Sequence, residues 1–251
     1  MQKLSDLIKK DKLKRKACST PRAIKKKTDG RSHGAFLKKE STQSKPDLVL
    51  KMVKLAQKFI GGIAYILMDS WFFYEPLLKE IKKKNLHGIG ILKQDNRKYH
   101  RLNRKGQSVI YDSIEKLAAT VKQRKFNDPH IIGSEVLVAQ TQNETFEDGL
   151  KLKVVYLRHH TDAKKIIVIA STDTSLSAEK IVKLYARRLN IEVGFHIQKS
   201  FLGLNSECQS TDYDSQVAFA YLSALRYILI EYKKRTEEDP RAAGVLFNSI
   251  S

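Results

Sequence analysis

The chain has 251 residues, with 47 Lys and Arg against 27 Asp and Glu, a formal charge of +20 and a pI near 9.8. That length supports one sizeable core, and the charge favours a polyanionic partner: DNA, RNA or an anionic membrane surface. The longest apolar runs, 63–68 and 217–230, are too short or carry Arg226, no secretory signal opens the chain, and Cys18 and Cys208 make no disulfide framework, so a reducing cytoplasmic or nucleoid setting is the expectation.

Residues 1–60 hold 18 Lys/Arg and 5 Asp/Glu, and the segment 1–45 reads as a basic, weakly ordered arm. Within it, TDGRSHGAFLKKES at 28–41 sets two glycines beside a basic cluster, which suits a phosphate-contacting loop or a plain linker. Ser44 and Pro46 predict a helix over 47–60, with Leu48, Leu50, Val53, Leu55 and Phe59 as its apolar face and Gly61-Gly62 as its stop. IAYILMD at 63–69 reads as a buried strand running into Asp69. Glu75-Pro76 opens a helix to about Asn85, and HGIGILK at 87–93 is a second strand. A strand–helix–strand unit predicts a parallel pair.

The pattern loosens over 94–163, where a helix at 111–125 and strands at 135–139 and 151–158 are the readable elements. Ile166–Ser171 is a strand, Ser177 an N-cap, and 212–234 a final helix. His159, His160 and His196 have no zinc-site spacing.

Between these last elements lies YARRLNIEVGFHIQK, residues 185–199. On one α-helix Tyr185, Arg188, Glu192 and Lys199 fall within roughly 60° of arc. Leu184, Ile191, Phe195 and Leu202 form an adjacent apolar stripe, expected to be buried. By geometry alone the favoured reading is an amphipathic helix with a solvated charged face.

The spacing Y-x2-R-x3-E-x6-K resembles the signature of DDE transposases from bacterial insertion sequences of the type-4 group. The likeness extends from about Thr28 to Gly244, through YILMDSWFFYEPLLKEI at 65–81, STDTSLSAEKIVKLYARR at 171–188 and KSFLGL at 199–204. Leu189 stands where such proteins usually have Trp. The resemblance implies an α/β, ribonuclease-H-like core with a β-rich insertion before the signature helix. It implies Asp69 as the second catalytic carboxylate and Glu192 as the third, holding Mg²⁺ (or Mn²⁺) for phosphoryl transfer on DNA. It implies Tyr185, Arg188 and Lys199 as DNA-phosphate contacts, and transposon ends, a second copy or a full-length transposase as partners. On this basis the chain divides into the arm 1–45, a partial core 46–93, an insertion subdomain 94–163 and a C-terminal part 164–251.

One carboxylate is missing from this pattern. Asp6, Asp11, Asp29 and Asp47 precede Asp69, and none follows an apolar strand-like run. The expectation is an N-terminally truncated transposase that lacks its first three strands, is catalytically impaired, and exposes a sheet edge at 63–68. Asp173, at a strand end, is a candidate substitute carboxylate, although turn capping also explains it. The competing readings are a non-catalytic DNA-binding protein that regulates a full-length transposase, and a basic RNA-binding protein with an accidental motif.

Overall fold

The computed structural model describes residues 30–103, 105–140, 145–159, 162, 165–204, 208–239 and 241. The chain forms two units, Met1–Thr42 and Gln43–Ser251. In the first, α1 (His33–Glu40) is capped by Ser32, whose side chain accepts from the Ala35 N–H. The glycine-and-lysine run read as a loop is therefore helical from His33 onward. Its first residues, Thr28 and Asp29, lie outside the described residues.

The second unit opens with α2 (Lys45–Phe59), whose N-cap Ser44 accepts from the Asp47 N–H. It ends before Gly62, which takes a positive φ of 74° that a side chain would resist. The apolar face of α2 is only partly covered. Val53 is buried, whereas Leu55 and Phe59 are exposed.

β1 (Tyr65–Met68), α3 (Glu75–Lys82) and β2 (His87–Ile91) follow, and β1 and β2 pair in parallel as the strand–helix–strand pattern requires. α3 stops three residues before the expected end, because Asn85 turns the chain with a φ of 58°. β3 (Lys98–Leu102), β4 (Ser108–Ser113), β5 (Ile131–Ala139), β6 (Leu150–Arg158) and β7 (Ile166–Ser171) complete one mixed sheet, ordered β1-β2-β7-β6-β5-β3-β4. All pairings except β1/β2 are antiparallel. The helix expected at 111–125 is instead the end of β4 followed by a short α4 (Ile114–Ala119). The strands of 94–163 thus extend the sheet that holds β1, β2 and β7.

Strand alternation divides the apolar residues between two faces. Met68, Leu152, Val154, Tyr156, Val168 and Ala170 pack with Val53 of α2, with Leu77, Leu78 and Ile81 of α3, and with Ile114 and Leu117 of α4. Ile89, Val155 and Ile169 pack on the other face with Ala178 and Ile181 of α5 (Ala178–Ala186). In β2, Gly88 and Gly90 let α3 approach closely. A methyl built on Gly90 would meet the Phe73 ring at 2.4 Å. α6 (Leu189–Ser200) and α7 (Tyr213–Thr236) follow α5.

Candidate active site

The distance from one end of β1 to the other sets the site. At its start, the Tyr65 hydroxyl donates to Asp173 Oδ2 at 2.8 Å, just beyond the end of β7. α5 begins after the Ser177 cap and returns along the sheet. Its nine residues span about 13 Å, as do the four residues of β1 and the step to Asp69. The end of α5 therefore arrives at the end of β1 that carries Asp69.

Asp69 sits in a tight turn. Its carbonyl accepts from the N–H groups of Phe72 (3.0 Å) and Phe73 (3.1 Å). Its Oδ1 accepts from the Ser70 N–H at 2.5 Å and from the Ser70 hydroxyl at 3.2 Å. Phe73 is fully buried, so this turn is fixed to the core.

The signature does not lie on one uninterrupted α-helix. Between α5 and α6 the N–H of Arg188 bonds the Tyr185 carbonyl and that of Ile191 bonds the Arg188 carbonyl, three residues back rather than four. Arg187 and Arg188 keep right-handed helical angles, so the join is a tightened turn in a nearly continuous path. The expected burial of the apolar stripe also fails. Leu202 is buried, but Ile191 and Phe195 are more than half exposed.

The join places Arg188 between two carboxylates. Its Nη1 donates to Glu192 Oε1 at 2.8 Å, and its Nη2 lies 3.5 Å from Asp69 Oδ2. One planar guanidinium spans both, which holds the two carboxylates within about 9 Å of each other. Asp69 and Glu192, 123 positions apart in the chain, thus share one cation. The arginine side chain is 28% exposed, against 53% for Asp69 and 60% for Glu192. Solvent screening therefore keeps the pairing modest. Tyr185 lies in the same field. Burial pushes its hydroxyl pKa above the ordinary value, and the charges of Asp69 and Glu192 act in the same direction against Arg188. Lys199 is exposed on α6, about 10 Å beyond Glu192 along the axis, and is not part of this contact set.

Asp173 is not near this group. It lies at the opposite end of β1, where Ser175 donates its N–H (3.0 Å) and hydroxyl (2.6 Å) to Oδ1. It is a turn-capping residue, which removes it as a substitute carboxylate. Among the described residues no group of three His, Cys, Asp or Glu could hold a metal ion. The two carboxylates are oxygen ligands of the type a hard divalent cation takes, and in this structure the Arg188 guanidinium stands between them. The arginine bridge went unread in the sequence. The i, i+4 spacing of Arg188 and Glu192 was its only local signal.

No helix among the described residues is long and apolar enough to cross a membrane. No curated protein matches the chain. Among solved structures, it is similar to a piggyBac transposase in a synaptic complex with hairpin DNA, determined by cryo-electron microscopy. The identity is 13% and the TM-score 0.45, over 83% of this chain and 40% of that one, so the chain spans two fifths of that transposase's length. The family model described as a transposase DDE domain matches residues 38–229. That span takes in most of the chain, including Asp69, Arg188 and Glu192, and the chain belongs to the DDE transposase domain family.

Proposed function

We propose that this transposase-family chain binds the DNA of transposon ends through its basic surface, and that Asp69 and Glu192 are two of the carboxylates of a divalent-metal site. The observation that carries this reading is the single guanidinium spanning both carboxylates. The meeting of two side chains so far apart in sequence on one cationic group supports reading the place as a cation site. Mg²⁺ or Mn²⁺ bound there would polarise a phosphoryl oxygen and lower the pKa of a bound water or hydroxyl. Asp69 is held for that task by its turn, which anchors on buried Phe73. Glu192 is brought to it by the α5–α6 join.

Arg188, Tyr185 and Lys199 are assigned to the DNA. A guanidinium freed from the carboxylates can take a phosphate in a bidentate fashion. The half-buried Tyr185 stays protonated and can donate a hydrogen bond to a phosphate oxygen. Lys199 supplies a point charge two helical turns further along the strand path.

The finer reading is a type-4 insertion-sequence transposase with a ribonuclease-H-like core. The strands over 94–163 are its insertion, and no aspartate in this sequence before Asp69 follows an apolar, strand-like run. Two carboxylates give a site that must hold hard cations fewer oxygen ligands and less charge than three. On that reading this chain by itself binds without efficient cleavage. In a nucleoid setting such a chain competes with a full-length transposase for transposon ends, and the net charge of +20 favours that role.

The test measures Mn²⁺ binding by calorimetry and nicking of end-containing DNA, in the full chain and in Asp69→Asn and Glu192→Gln. Each substitution should weaken Mn²⁺ binding at least about tenfold, since each removes one charge of the pair. Nicking should be weak or absent throughout. Unchanged Mn²⁺ binding in both variants would refute the site. Robust nicking abolished by Glu192→Gln would refute the impairment.

A further inference from the structure

A cavity of about 910 Å³ opens on the face of the sheet that carries α3. It is bounded by the start of α3, by residues 92–97 after β2, and by β3, β5 and β6. Asp69, Tyr185, Arg188 and Glu192 do not line it. Its volume is that of a small-molecule site. The floor is made of core residues: Phe73, Leu78, Leu92 and Leu152 are all buried. Tyr74, Tyr99 and Tyr111 add three more rings to the lining. Such walls suit a flat aromatic body.

The polar groups select the charge of that body. Both carboxylates of the lining are already matched by cations. Arg97 Nε donates to the two Asp95 oxygens at 2.9 and 3.0 Å, and its Nη2 lies 2.9 Å from Oδ2. Lys79 lies 2.9 Å from Glu75 Oε1. What remains is donor capacity. Arg97 Nη1 stands outside the pair with Asp95. The Lys98 ammonium sits over the Tyr111 ring, 5.6 Å from its centroid. Tyr99 is the sharpest signal. It is 3% exposed and lines the cavity, yet its hydroxyl has no hydrogen-bond partner among the described residues. A buried phenol ordinarily has one. Burial pushes its pKa above the ordinary value, so it stays protonated and able to donate.

We propose that this cavity is a binding site for a small aromatic carboxylate. The flat body lies on Phe73, Leu78, Leu92 and Leu152. The carboxylate accepts from the Tyr99 hydroxyl and from Arg97 Nη1, with Lys98 at the mouth. A cationic ligand would have to break the Asp95–Arg97 or the Glu75–Lys79 pair. A phosphodiester brings the charge but no apolar body to cover the floor. The site stands apart from the proposed metal chemistry, but it touches the same turn. The Phe73 N–H bonds the Asp69 carbonyl, so a ligand resting on the Phe73 ring bears on the segment that carries Asp69.

The probe is 2-naphthoate, titrated into the full chain by calorimetry, with methyl NMR of Leu78, Leu92 and Leu152 to locate it. A Kd below about 1 mM is expected, and those methyl signals should shift. The neutral analogue 2-naphthamide should bind at least about tenfold more weakly, because the charge-assisted hydrogen bonds are lost. Tyr99→Phe removes a hydroxyl that no described residue uses. It should leave the melting temperature unchanged while weakening naphthoate binding at least about fivefold. Lys98→Gln, at an exposed position, should weaken it about threefold. Unmoved leucine methyls, equal affinity for naphthamide, or wild-type affinity in Tyr99→Phe would each overturn the proposal. So would displacement of the probe by equimolar inorganic phosphate, which would mark a plain anion patch on a basic protein.

Discussion

Gly90→Ala tests how the fold positions Asp69. A methyl on Gly90 would lie 2.4 and 2.8 Å from two Phe73 ring carbons and 3.0 Å from the Met68 carbonyl oxygen. Neither neighbour can yield easily. Phe73 is 1% exposed, and the carbonyl belongs to β1, which pairs with β2 in parallel. Overpacking of this kind costs about 1–3 kcal/mol. For a domain of this size that lowers the melting temperature by about 2–12 °C. Gly88→Ala is the matched control. Its methyl meets Leu78 Cδ2 at 2.5 Å and Met68 Cε at 2.7 Å, the free ends of flexible side chains. Those ends can rotate away, and the lost chain entropy of the unfolded state offsets part of the strain, so the change should stay below about 1 kcal/mol. The Phe73 N–H bonds the Asp69 carbonyl, so a displaced ring also moves the aspartate. Gly90→Ala should therefore weaken Mn²⁺ binding where Gly88→Ala does not. Thermal melts followed by circular dichroism, with Mn²⁺ calorimetry alongside, decide the matter. A Gly90→Ala melt within about 1 °C of wild type, or above that of Gly88→Ala, would show that Phe73 is not held as described.

Two further outcomes follow from the electrostatics. Burial pushes the Asp173 carboxyl up, but hydrogen bonds from Ser175 and Tyr65 outweigh it, and the net pKa lies below the ordinary value. A depressed carboxyl contributes stability above its unfolded pKa and loses it as pH falls through the folded one. Tyr65→Phe should raise the Asp173 pKa in a carbon-detected NMR titration and destabilise the chain at neutral pH. The difference should vanish below the folded pKa of Asp173, and an unmoved titration would contradict the Tyr65 contact. Affinity for duplex DNA should fall about a thousandfold between 50 and 200 mM salt if six or more phosphates are engaged. A flat response would remove the phosphate-binding argument.

Much of the sheet's central frame was legible because its signals are local. Ser44 and Ser177 cap the predicted helices, and β1, β2 and β7 are short apolar runs bounded by glycine, proline or polar residues. β3 and β4 were not. KYHRL and SVIYDS lack clean alternation, and β4 is a largely exposed edge strand that pairs only with β3 among the described residues. The break at Arg187-Arg188 was also illegible, since both residues keep helical angles and only the hydrogen-bond spacing changes. Asp69 and Glu192 could be chosen from residue type and spacing. That one arginine holds them together depends on the length match between β1 and α5, which no local pattern records.

The order of strands in the sheet has a consequence during synthesis. β2 emerges from the ribosome with β1 beside it, but its other neighbour, β7, follows about 80 residues later. At cellular elongation rates that edge of HGIGI stays unpaired for several seconds. In the interval, β3, β4, β5 and β6 can fold on one another as a meander of mostly adjacent hairpins. β7 then joins the two nascent halves by pairing with β6 on one side and β2 on the other.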